Sequence, residues 1–123
     1  MAFIAAWVHA DHMTPTVIHQ PRVAWDGARA FVRIAQTPGY EAFADHVHRR
    51  LGPETLTQLE DTRERLLDGL SRSGGDRYVT DVEAGKWRVR LEDLLRTRPD
   101  LADAVLDLTA MVPVPRQDLP HLR

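Results

Sequence analysis

The stretch HADHMTPTVIH, residues 9 to 19, places His9, Asp11, His12 and His19 together in a chain that has only six histidines. Imidazole and carboxylate groups hold zinc and related ions, and His9 and His12 stand three apart, on one side of any helix that carries them. His19 or Asp11 would supply a further ligand. A closed site also needs a folded scaffold and partners that orient each ligand. This stretch instead crosses Pro15 between two threonines, so it reads as part of a solvated leader and linker over residues 1–21. Metal binding by His9, Asp11, His12 and His19 stays the weaker alternative, and no cofactor is expected.

The other groups with possible chemistry fall away on spacing. In DHVH, Asp45 to His48, a helix would set His46 and His48 about 200° apart, so they flank an apolar stripe and cannot chelate one ion. Ser71 and Ser73 lie beside a glycine loop with no G-x-S-x-G context. The absence of cysteine removes thiolate chemistry, disulfides and thiolate zinc sites together. SGGD follows no strand and is a turn, not a phosphate cradle. Arg88, Arg90, Arg96 and Arg98 scatter around a helix and are interrupted by Glu92 and Asp93, which reads as a solvated face and not a nucleic-acid surface. No catalytic residue is assigned.

Three positions are the candidates for contact with another protein, although for Arg63 a stem reaching out to water is the favoured reading. Arg63 falls near the centre of a stripe made by Leu59, Leu66, Leu67 and Leu70, where a charge must be paired, reach out to water along its stem, or face a partner. Val82 and Val89 lie opposite the stripe of Trp87, so their helix is apolar on two sides. Such a helix is central in its bundle or part of an interface, and the spacing favours the central position.

The elements that must position these residues follow from period and punctuation. Trp25, Ala28, Val32 and Ala35 give a helical face over 22–36, stopped by TPG. Tyr40, Phe43, Ala44, Val47 and Leu51 give a second helix over 40–51, closed by Gly52, with Pro53 suited to the first turn of the next. A third runs over 54–72 and breaks at SRSGGD. TDVE, Thr80 to Glu83, has the form of a capping box and predicts the start of a fourth, with Ala84, Trp87, Leu91, Leu94 and Leu95 on its inner face. Pro99 opens a fifth helix that Pro113 ends, carrying Leu101, Ala104, Val105, Leu108 and Val112. The tail over 113–123 is proline-rich and reads as extended. No segment alternates in the strand period, so the expected fold is all-α, a small bundle of about five helices over 22–112.

Composition sets the outer bounds. A chain of 123 residues has material for one core. With 16 basic and 18 acidic side chains its formal charge is -2, which gives no field to draw in nucleic acid or an anionic membrane. The apolar opening MAFIAAWV is too short to span a bilayer and no basic residue precedes it, so the chain reads as soluble and cytoplasmic. Met13 is an alternative start of translation. All but one of the basic residues are arginine, the exception being Lys86, as expected of a GC-rich bacterial genome.

LLRTRPDLADAVLDLTA resembles the x-Pro-Asp/Glu-Leu-Ala helix of small effector-associated helical modules in signalling and conflict systems of GC-rich bacteria. AWDGARAFV, ahead of a charged hairpin, resembles their opening helix, although the glycine-zipper segment many of them carry is missing. The resemblance spans about a fifth of the chain and carries no functional residues over. It implies a non-catalytic adaptor that docks a protein partner or associates with itself. The competing expectation is a small metal-dependent or acid-base enzyme built on the histidine-rich leader.

Overall fold

The computed structural model describes residues 19–73 and 77–113. Helix α1 spans Gln20–Ile34, α2 Tyr40–Leu51, α3 Pro53–Ser73 and α4 Arg77–Thr97; a 3-10 turn at Pro99–Leu101 leads into α5, Ala102–Ala110. The described residues therefore form an all-α bundle of five helices.

Several helix ends have a local reason. The His19 ring accepts a hydrogen bond from the Arg22 amide at 3.3 Å and Pro21 occupies the first turn, so α1 starts at Gln20, ahead of the Arg22 start expected from its apolar period. Gly52 ends α2 at φ +103°, a left-handed backbone that L side chains resist, and Pro53 then opens α3. Pro99 and Asp100 lie in the tight 3-10 turn and not in the α-helix expected there; only from Ala102 does α5 follow.

Helices α1 and α4 pack closely because α1 turns small residues toward its neighbours. A methyl group placed on Gly27 would come within 3.0 Å of both Leu91 Cδ1 on α4 and Val105 Cγ1 on α5. Phe31 then meets Phe43 edge-on with ring centres 5.3 Å apart and Trp87 at 5.1 Å. Around these rings Val47, Leu59, Leu66, Leu91, Leu95, Val105 and Leu108 are buried, so every helix contributes to one core.

Three expectations are corrected. The TDVE segment is not a cap: α4 begins three residues earlier, at Arg77, and Thr80 lies within its first turns. The Glu83 carboxylate that was to reach back to Thr80 is instead buried against α3. Trp25 was placed on the core face of α1, but it is 37% exposed at the seam with α4, where Arg29 and Arg88 stack on its ring. Leu67, expected on the core stripe of α3, is 39% exposed. No helix among the described residues is long and apolar enough to cross a membrane.

Candidate functional site

Helix α4 has two sides of different character, and the candidate site is built on that difference. Its inner side carries Trp87, fully buried, whose indole Nε1 donates to the Thr62 hydroxyl on α3 at 2.7 Å. That hydroxyl reaches Glu83 Oε1 at 3.5 Å, and the Glu83 carboxylate accepts from Arg65 Nε at 2.8 Å, Arg65 Nη2 at 3.0 Å and Lys86 Nζ at 3.2 Å. Burial alone would raise the Glu83 pKa, but the hydrogen bonds from Arg65 and then Lys86 outweigh it and hold the group below the usual glutamate value. A buried carboxylate with this many donors is a structural clamp between α3 and α4, because its charge is already matched.

Arg63, one of the expected interaction residues, is taken up inside the fold. Its Nη1 donates to the Ala35 carbonyl at 2.8 Å, and its guanidinium lies 4.5 Å from the centre of the Tyr40 ring. The cation thus sits at the C-terminal end of α1, where the exposed carbonyls and the helix dipole favour it. Arg90 lies over the Trp87 ring at 4.9 Å, and burial, then repulsion from Arg65, lower its pKa from the ordinary arginine value. Arg88 pairs with Glu92, Arg96 with Asp93 and Arg98 with Asp100, so the arginine cluster of this region is largely neutralised by its own neighbours.

The outer side of α4 is different. Val89 is 49% exposed and Val82 half-buried, so the position of these valines is not the bundle centre that their spacing favoured. Tyr78, 72% exposed, and Gly85 complete the same stripe at i, i+4, i+7 and i+11. A Cβ built on Gly85 meets nothing within 4 Å, which places that glycine against open space. Tyr78 and Gly85 share the helical spacing of Val82 and Val89, but a phenol and a glycine do not mark an apolar stripe by residue type as the two valines do.

The histidines do not assemble a site among the described residues. His19 caps α1, His46 Nδ1 lies 3.1 Å from Arg49 Nη2, and His48 is exposed on the other side of α2. No group of three or more metal-ligating side chains occurs among the described residues. His9, Asp11 and His12 lie outside them, as do the tail positions from 114 onward. Compared with family models, with curated proteins and with solved structures, the chain finds no match in any of the three, so its site stands on its own residues.

Proposed function

We propose that this chain is a non-catalytic helical interaction module that docks a protein partner through the outer face of α4. The observation that carries the reading is the stripe of Tyr78, Val82, Gly85 and Val89 on a helix whose opposite side is core. An apolar stripe on a helix costs solvation when left in water and gains when a partner covers it. The open glycine lets a partner backbone come close at the centre of the stripe. The role fits an adaptor or effector-associated module of a bacterial signalling or conflict system, working in the cytoplasm on a protein and not on nucleic acid or a membrane.

A photo-crosslinking residue in place of Val89, with a second at exposed Asp45 as control, tests this in cell extract. A discrete adduct at position 89 and none at 45 is the expected result. Equal, diffuse labelling at both positions would contradict it.

A further inference from the structure

We infer that the chain also associates with itself head to tail, one copy seating the acidic outer stripe of its α3 in the basic seam between α1 and α4 of the next. This goes beyond the docking role and uses different faces.

The seam is two furrows, of about 520 and 590 Å³, that meet at Trp25 and Arg29. Five arginines against three carboxylates line them. Two of those carboxylates, Asp26 and Glu92, are held by Arg22 and Arg88. Arg29 lies 5.0 Å from the centre of the Trp25 ring and meets no carboxylate within ion-pairing distance among the described residues. The floor is apolar, with half-exposed Trp25 beside Val32 and Ala84. Tryptophan and arginine are among the side chains enriched at the energetic centres of protein interfaces.

The complement lies on α3. Glu60, Glu64 and Leu67 stand at i, i+4 and i+7, all exposed, while Leu59, Thr62 and Leu66 of the same helix point into the core. Leu67 is 39% exposed, an apolar knob beside carboxylates. Neither Glu60 nor Glu64 has an ion-pair partner among the described residues. One surface is therefore a hydrophobic floor edged by Arg29 and Arg77, neither of which meets a carboxylate within ion-pairing distance among the described residues, and the other a hydrophobic knob edged by Glu60 and Glu64. Within one molecule no ion pair joins them among the described residues. A contact between unlike surfaces of identical copies is heterologous, and it builds rings or open chains in place of a closed two-fold dimer. Exposed ion pairs of this kind set rate and selectivity more than strength, so the association is weak and salt-sensitive.

Sedimentation of the full chain at low and high salt tests the inference, with Arg29→Glu and Glu64→Arg as variants on exposed positions and circular dichroism confirming that each folds. The wild type should gain mass with concentration at low salt and lose it at high salt. Each variant alone should associate at least about tenfold more weakly. Mixing the two should restore association, because acidic α3 of one then meets the native seam of the other, and the reversed pair also matches. A monomeric wild type at low salt, variants that associate like the wild type, or a mixture that stays apart would each overturn it. Val89→Asp separates this claim from the docking role: it should leave self-association intact, and if it abolishes self-association the interface is the outer face of α4 and the seam assignment is wrong.

Discussion

The Trp87 indole nitrogen and the Thr62 hydroxyl meet at 2.7 Å in a fully buried hydrogen bond that ties α4 to α3 across the core. Because neither group reaches water, the bond is worth most when one partner is removed. Thr62→Val, nearly equal in volume, should cost about 1–3 kcal/mol by leaving the indole N–H unsatisfied. Trp87→Ala should cost about 3–5 kcal/mol through the cavity it opens beside Phe31. Urea unfolding monitored by circular dichroism measures both, and a neutral Thr62→Val would remove this bond from the account.

Glu83 gives the fold a dependence on acid. Its pKa is lower in the folded chain than in the unfolded chain, so the unfolded state takes up its proton first as pH falls. The stabilisation it supplies is complete above the unfolded value of about 4.3 and is lost as pH drops through the lower folded value. Glu83→Gln should be less stable at neutral pH and should lose less stability between pH 5 and pH 3, roughly the window in which the wild-type carboxylate protonates. Melts across that range check the slope, and parallel wild-type and variant curves would contradict the assignment.

Two glycines should respond in opposite directions. Gly85→Ala adds a methyl group where nothing lies within 4 Å and raises helix propensity, so it should stabilise the chain by about 0.5–1 kcal/mol. Gly27→Ala places a methyl group 3.0 Å from Leu91 and Val105, both tightly buried, so an overpacking cost of about 1–3 kcal/mol should outweigh the roughly 1 kcal/mol gain in helix propensity and leave the chain less stable. Thermal denaturation reads both signs.

Arg63 should behave as a structural residue. Arg63→Ala removes the hydrogen bond to the Ala35 carbonyl and the contact with the Tyr40 ring, and should cost about 1–2 kcal/mol. Partner binding per folded molecule should be unchanged. A variant that melts like the wild type and loses its partner would return Arg63 to the interface.

The fold was readable where a residue's role depends on its neighbours in sequence. The stripe of Tyr40, Phe43, Ala44 and Val47, the stop at Gly52 and the start at Pro53 are local features, and each lies where its spacing put it. Misreadings came where tertiary partners decide. TDVE has the local form of a cap, but Arg65, eighteen residues away on another helix, claims Glu83. Trp25 fits an apolar period, yet in the fold it is 37% exposed where Arg29 and Arg88 meet its ring, and the Arg88 contact comes from another helix that the period cannot show. Arg63 looked like a misplaced charge because the carbonyl end of α1 that receives it cannot be seen from α3 alone. The candidate face was half legible: Val82 and Val89 stood out by period, whereas their exposure depends on how α1 and α3 flank α4.

The central claim is that the outer face of α4 is a docking surface, and the direct measurement is the binding of Val89→Asp to the captured partner, compared with the wild type at equal concentrations of folded protein. Val89 is half exposed and Gly85 on the same stripe faces open space, so the variant should keep its melting midpoint within a few degrees, about 1 kcal/mol or less. Its partner binding should fall at least about tenfold, since a carboxylate would have to be buried without a counter-ion. A variant that unfolds would make the face part of the core, and a folded variant that binds as well as the wild type would show that the partner docks elsewhere; either result contradicts the account.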